Sequence, residues 1–274
     1  MMEPGEFFDL KGIGLDDLFR TGQPVWKALD GLKDALNSQF RESWPLTGIT
    51  GQIEKPLAVV GGEVLEGIEI RPTGPKGRLQ AFQNGQLLEG AAIIMAGSYL
   101  FDDRIIIGAG TVVEPGALIK GPFVIGKNSE VRQGAYIRGD CWVGDGCVVG
   151  HTTEIKESIL LHGAKAGHFA YVGDSILGNE VNLGAGTKLA NLKMIPGTVS
   201  IVYEKNRYDT ERRKIGAILG DRTETGCNSV TSPGTLMGPR SLVYPAITVP
   251  AGFYPGRTIV MPSRGSLKIH KPNP

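Results

Sequence analysis

The sequence predicts an all-β solenoid built from six-residue repeats. Aliphatic residues recur at every sixth position from residue 107 to residue 161 without a break. This period fits neither a helix nor an isolated strand, but it is the period of a hexapeptide-repeat β-helix. Small residues usually stand two positions before each aliphatic one, as a narrow coil requires. The series is Ile107, Val113, Ile119, Ile125, Val131, Ile137, Val143, Val149, Ile155 and Leu161.

In such a coil each repeat is a short strand and a corner, and three repeats complete one turn of 18 residues. We expect about five turns over residues 101–190 and about two over residues 216–256. A single five-residue step, between Val172 and Leu177, interrupts the first run. In the second run the inward positions are Leu219, Thr225, Thr231, Met237, Val243 and Val249.

The segments outside the coil have other patterns. Residues 1–48 are predicted to form a helical extension, since apolar residues recur there at intervals of three and four and Pro24 suits a first turn. We expect this helix to cover one end or side of the coil, or to join an oligomer contact. The apolar stripe is Val25, Leu29, Leu32, Leu36 and Phe40.

The coil domain is predicted to span residues 49–262 and to begin with irregular strands, among them a hairpin that turns at Asn84-Gly85. Residues 194–214 interrupt the repeat and are expected to form a hairpin projecting from the coil. The basic, proline-containing tail, residues 263–274, is expected to be loose.

Composition narrows the class of protein. Forty glycines and 7% aromatic residues in 274 suit a thin coil rather than a broad core. A net charge of +1, without a basic stripe, argues against a nucleic-acid binder. There is neither a long apolar run nor a secretory signal, so we expect no membrane span and a cytoplasmic protein. Cys141 and Cys147 fall at small positions of the repeat and are interpreted as packing residues.

A histidine-centred block stands out in the coil: Lys165-Ala-Gly-His168-Phe-Ala-Tyr171-Val-Gly-Asp174, continued by Val181-Asn182-Leu-Gly-Ala-Gly-Thr187 and Asn191. It resembles the acetyltransferase domain of the bifunctional bacterial enzyme that makes UDP-N-acetylglucosamine. Residues 210–221 resemble the archaeal-type sugar-1-phosphate branch of that family. The resemblance covers roughly residues 105–255.

The resemblance implies a left-handed parallel β-helix and a homotrimer with sites between protomers. It also implies transfer of an acetyl group from acetyl-CoA to a hexosamine 1-phosphate, glucosamine 1-phosphate first among them, without a metal. His168 falls on the general base and Glu154 on the carboxylate that orients it. The remaining positions are Arg138 and Lys156 for phosphate, Tyr171 and Asn182 for the sugar, and Asn191 beside the acetyl-CoA thioester.

Spacing supports the phosphate site independently. Lys120, Arg138 and Lys156 are 18 residues apart, so they should form a column with members about 5 Å apart. Three like charges repel unless an anion lies against them. A phosphate bridged by Arg138 and Lys156 is one explanation. The other is a solvated ladder relieved by neighbours such as Glu114 or Glu130.

The chain also departs from the family. Asn191 is followed by Leu192 and Lys193, and Gly197 and Ser200 stand where archaeal-type enzymes have lysines. Lys193 or Lys214 is expected to take their place among the substrate-binding positions, and Lys214 aligns best. Cys227 replaces a serine of the acetyl-CoA groove. Residues 1–100 contain no nucleotide-binding loop, so we expect no nucleotidyltransferase activity and a separate nucleotidyltransferase as a partner.

Three alternatives stay open. The chain could acylate another amino-sugar nucleotide or use a longer acyl chain. It could be a non-catalytic scaffold or a regulatory paralogue. It could also resemble the γ-type carbonic anhydrases, although His151, His162, His168 and His270 do not have the spacing of that zinc site.

Overall fold

The computed structural model describes residues 2–40, 44–73, 77–203, 205–263 and 266–270. Its centre is a parallel β-helix in which short strands stack into three sheets, as the repeat predicts. The first sheet comprises Gly51–Gln52, Tyr99–Leu100, Leu118–Lys120, Tyr136–Arg138, Glu154–Lys156, Tyr171–Gly173, Lys188–Leu189, Val230–Thr231 and Thr248–Val249.

The other two sheets follow the same order along the coil. The second comprises Leu57–Val60, Glu63–Leu65, Ala92–Ile94, Val112–Val113, Glu130–Val131, Val148–His151, Lys165–His168, Asn182–Leu183, Glu224–Thr225, Leu242–Val243, Ile259–Ser263 and Ser266–His270. The third comprises Ile105–Ile107, Phe123–Ile125, Cys141–Val143, Ser158–Leu160, Ile176–Leu177, Ala217–Leu219, Thr235–Met237 and Gly252–Tyr254.

The inward aliphatic residues form the core of the coil. Ile119 is in register with Ile137, which is in register with Ile155, and all three are fully buried. Burying one such side chain in every repeat stabilises the coil by about 1.5–3 kcal/mol per residue. Cys141 and Cys147 are also fully buried, and burial raises the pKa of both thiols to about 12. The two thiols therefore remain protonated and serve in packing.

The phase of the repeat corrects one prediction. Val143 is in register with Leu160, and Leu160 with Leu177, so the inward residue is Leu160. Leu161 instead packs with the N-terminal extension. The coil thus contains two five-residue steps, from Ile155 to Leu160 and from Val172 to Leu177. Both steps fall at the corner between the first and third sheets. On these two coils that corner is one residue shorter than on the coil before them.

The N-terminal extension covers one side of the coil, as one of the predicted arrangements requires. Its α-helix spans Ala28–Ser38 and is preceded by 3-10 turns at Pro4–Glu6 and Val25–Lys27. The extension packs on the outer face of the third sheet, through the outward side chains of that sheet. These are Ile159, Ile176, Ile218 and Leu236.

Antiparallel hairpins lie outside the parallel sheets of the coil. Asn84 and Gly85 make the predicted turn, both with positive φ, between Leu79–Gln83 and Gln86–Leu87, and Glu69–Pro72 pairs on the other side. The insertion forms the predicted hairpin, Ser200–Tyr203 with Asn206–Asp209. It does not project from the coil, however, because Val199 and Ile201 are buried in the cluster on the third sheet.

The prediction that residues 263–274 form a loose tail is wrong in part. Ser266–His270 pairs antiparallel with Ile259–Ser263 and so caps the last strand of the second sheet. Capping satisfies backbone groups that an open solenoid end would leave unpaired. Residues 271–274 lie outside the described residues. Across the described ranges, no helix combines the length and the apolar character that a membrane crossing needs.

Candidate active site

Two histidines stand at the corner between the second and first sheets. His168 ends the strand Lys165–His168, is exposed, and is in register with His151 on the preceding coil. Neighbouring strands are about 4.8 Å apart, so the two imidazoles lie on consecutive coils. The ring of Phe169, at the corner itself, lies 5.8 Å from that of His151 and 6.2 Å from that of His168. We name this place, defined by His151, His168 and Phe169, the histidine corner.

The sequence analysis did not predict that His151 lies beside His168. The available signal was its separation from His168 by 17 residues, which is one coil wherever a coil contains a five-residue step. An assumed coil of 18 residues puts the two histidines out of register.

Glu154, which was predicted to orient His168, is hydrogen-bonded to Arg138 in this structure. Its carboxylate oxygen Oε1 accepts a hydrogen bond from Arg138 Nη1 at 2.7 Å. This bond raises the pKa of the Arg138 guanidinium. In the described part of the chain no hydrogen bond joins Glu154 to His168, so the predicted base–carboxylate pair is absent and Arg138 is already paired with an anion.

Lys156 is buried at the other end of the same strand, beside two carboxylates. Its Nζ lies 2.7 Å from Glu157 Oε1 and 3.3 Å from Asp174 Oδ2. Burial acts to lower the pKa of Lys156, but the hydrogen bond to Glu157 and the charges of both carboxylates outweigh it and leave the pKa raised. The shortened corners explain the cluster, since Glu157 and Asp174 occupy these corners on consecutive coils, both with positive φ.

Asn191 belongs to this buried cluster rather than to an open groove. Its Nδ2 donates a hydrogen bond to Asp174 Oδ2 at 2.5 Å. Burial raises the pKa of Asp174, and the hydrogen bond from Asn191 opposes the rise. Arg212, from the insertion, lies 3.8 Å from the other carboxylate oxygen of Asp174 and 2.6 Å from Asp30 of the N-terminal helix. The cluster thus ties the coil, the insertion and the extension together.

The predicted column of cations exists, but each member has its own partner. Lys120 is in register with Arg138, and its ammonium lies 5.1 Å from the ring centroid of Phe101 and 5.5 Å from that of Tyr136. The acidic neighbours that were predicted to relieve the column are engaged elsewhere: Glu114 accepts the backbone N–H of Gln133, and Glu130 pairs with Arg132. No shared anion is needed to hold the column together.

Tyr171 lies between the histidine corner and the buried cluster. It follows His168 by three residues and is in register with Glu154. Burial raises the pKa of the Tyr171 phenol. Gly173 leaves room for its oxygen, because a Cβ there would lie 2.6 Å from Tyr171 Oη and 2.7 Å from Asn191 Nδ2.

The three remaining predicted residues lie apart from one another. Asn182 is in register with Lys165, and Lys165 precedes His168 by three positions, which is about 10 Å along the strand. One chain therefore does not bring Asn182 to the histidine corner. Lys214 is exposed and its backbone pairs with Leu192. Cys227 is exposed and lies at the corner that stacks two coils beyond His168.

The cation–carboxylate cluster gives a stability prediction. Replacing Lys156 by methionine should lower the free energy of unfolding by about 2–3 kcal/mol at neutral pH, since Glu157 and Asp174 lose their shared cation. Because the pKa of Asp174 is raised by folding, its contribution to stability is present at acid pH and is lost as the pH rises through that pKa. The deficit of the variant should therefore shrink between neutral pH and about pH 4.

Denaturant unfolding at both pH values measures this deficit. Lys165→Met, at an exposed lysine, is the control and should unfold like the wild type at both. An equal deficit for Lys156→Met at the two pH values would show that the carboxylates do not depend on Lys156.

Comparison with known proteins locates the similarity on this part of the coil. Residues 119–224 match the family model described as the GMPPB C-terminal domain. Among the described residues, no three metal-ligating side chains lie close enough to hold a metal ion.

Curated relatives match a similar length of chain. A bifunctional sugar-1-phosphate nucleotidylyltransferase/acetyltransferase of Sulfurisphaera tokodaii is 39% identical over 101 residues, which are 37% of this chain and 25% of that protein. The bifunctional protein GlmU of Methanococcus maripaludis is 42% identical over 94 residues, 34% of this chain and 23% of that protein. The matches thus span about a quarter of each relative.

A solved structure of a Francisella novicida UDP-N-acetylglucosamine acyltransferase aligns with 61% of this chain and 60% of its own, at 15% identity and a TM-score of 0.48. The chain is therefore homologous, over about 100 residues, to the bifunctional sugar-1-phosphate nucleotidylyltransferase/acetyltransferases that its motifs resemble.

Proposed function

We propose that this protein transfers an acetyl group from acetyl-CoA to the amine of a hexosamine 1-phosphate, with glucosamine 1-phosphate as the first candidate. The observation that carries the proposal is the exposed imidazole of His168 at the histidine corner, within the block of sequence that resembles the family. The Sulfurisphaera and Methanococcus relatives support it, since the first is named an acetyltransferase and both are bifunctional.

The chemistry assigns His168 a defined task. The amine nitrogen attacks the thioester carbonyl, the carbon–sulfur bond breaks, and coenzyme A leaves as a thiol. The attacking nitrogen must lose a proton as the amide forms, and His168 takes it as general base and then returns it to the departing thiolate. An imidazole suits this task because its ordinary pKa lies close to neutral pH.

The surroundings supply the binding groups. Tyr171, three residues beyond His168, contacts the sugar, and the Arg138–Glu154 pair lies beside it on the first sheet. Cys227 lies along the same corner and lines the path of the acetyl-CoA chain. We further propose a homotrimer. Asn182 does not reach the histidine corner of its own chain, so a neighbouring protomer supplies this contact to the sugar.

Release of free thiol from acetyl-CoA tests the proposal. The wild-type protein is incubated with acetyl-CoA and each member of a panel: glucosamine 1-phosphate, galactosamine 1-phosphate, glucosamine 6-phosphate and unphosphorylated glucosamine. We expect the fastest release with a hexosamine 1-phosphate, and mass spectrometry should find one added acetyl group on its nitrogen. If no member of the panel releases thiol above the rate of acetyl-CoA alone, the chain is not this enzyme.

A further inference from the structure

We propose that Lys188, rather than Lys156, binds the phosphate group of the acceptor. This inference rests on the proposed function, since it names a residue that recognises the substrate. Lys188 was not among the candidate residues of the sequence analysis. It begins the first-sheet strand Lys188–Leu189, it is exposed, and it is in register with Tyr171 on the coil before it.

The ammonium group of Lys188 lies next to the histidine corner. Its Nζ donates a hydrogen bond to the backbone oxygen of Gly186 at 2.8 Å. The backbone N–H of Gly186 in turn donates to the backbone oxygen of His168 at 2.9 Å. The ammonium group therefore contacts the backbone of the coil that follows His168, and the strands of these two coils are about one strand spacing apart.

The position fits the acceptor. In a 2-amino hexose 1-phosphate the amine and the phosphate are attached to neighbouring carbons of the ring. Once the amine reaches His168, the phosphate must therefore lie within the width of one sugar ring from it. Lys188 is at that corner, whereas Lys156 points to Asp174 at the opposite end of the first-sheet strands.

Electrostatics favour the same residue. The other basic side chains on this part of the first sheet already have partners: Arg138 has Glu154, Lys156 has Glu157 and Asp174, and Lys120 lies over two aromatic rings. In the ranges that the structure describes, no carboxylate oxygen lies within 4.0 Å of Lys188 Nζ, and its hydrogen-bond partner is a neutral carbonyl.

A phosphate can therefore reach Lys188 without displacing a carboxylate. At Lys156 it would have to compete with two buried carboxylates and approach their negative charges. Like charges brought this close to one another repel.

Paired kinetic measurements test the assignment. Lys188→Ala should raise the KM for glucosamine 1-phosphate by about 10–150-fold, the range of a charge-assisted phosphate contact, with kcat nearly unchanged. The kinetics with unphosphorylated glucosamine should not change. Lys188→Arg should restore most of the affinity, because arginine keeps the charge. Lys165→Ala, at another exposed lysine on the strand that ends at His168, is the matched control and should behave like the wild type.

Calorimetric titration of glucosamine 1-phosphate keeps this test separate from that of the acetyl transfer. If the wild type binds the ligand and Lys188→Ala does not, the assignment holds even when no thiol is released and the proposed function fails. If Lys188→Ala binds glucosamine 1-phosphate as tightly as the wild type, or loses both sugars equally, the assignment is wrong. Absence of any binding by the wild type would overturn it as well.

Discussion

His168→Ala should lower kcat for acetyl transfer by about 10²–10⁴-fold, the usual contribution of a general base. The side chain is exposed, so its removal takes away no buried contact and the melting temperature should stay close to that of the wild type. Because His168 acts on the attacking amine, the KM for the acceptor should change little. Steady-state thiol release at saturating acetyl-CoA measures both parameters.

His151→Ala is the matched control, since His151 stands at the same corner on the preceding coil. It should retain most of kcat if His168 is the base. If His151→Ala loses the activity and His168→Ala keeps it, the base lies one coil earlier than proposed. If both variants keep the full rate, the histidine corner is not the catalytic centre.

Gly150→Ala should lower the free energy of unfolding by about 3 kcal/mol or more, because the added methyl group has no space. A Cβ at residue 150 would lie 1.8 Å from the backbone oxygen of Gly167 and 2.1 Å from its carbonyl carbon. Both contacts are to backbone, so no side chain can turn aside. Two neighbouring coils would have to separate where the strands Val148–His151 and Lys165–His168 pair.

Gly167→Ala provides the control on the facing coil. A Cβ there meets nothing within 4 Å, and the backbone of Gly167 does not have a positive φ. This variant should unfold like the wild type or become slightly more stable, since alanine reduces the freedom of the unfolded chain. Thermal or denaturant unfolding followed by circular dichroism compares the two. Equal transitions for both variants would contradict the close approach of the coils.

The core of the fold was predictable because each repeat contributes one inward aliphatic residue, and that period is visible in the sequence. The exact phase was harder to predict at one place. Leu160 and Leu161 are adjacent and equally apolar, so only the length of the corner decides which of them faces inward. The burial of the insertion could not be predicted either. A sequence pattern that predicts a hairpin does not show which surface the apolar side chains of that hairpin will cover.

The pairings of the candidate site residues could not be predicted from the sequence, and their roles stay predictions. The resemblance indicated His168, and the structure gives it an exposed corner. The partners of Lys156 depend on the two shortened corners, which bring Glu157 and Asp174 beside it. Lys188 had no motif to mark it, since its proximity to His168 comes from the stacking of coils and not from sequence spacing.

The N-terminal extension on the third sheet has a consequence for access. Around the coils that carry His168, one flank of the prism is clad by the helix Ala28–Ser38 and its neighbours, and the histidine corner is the edge shared by the other two flanks. The proposed thioester donor and the proposed sugar acceptor can then approach that edge from different directions. The two ligands then do not share one path to the histidine corner. A second copy of the chain could cover one path and leave the other open.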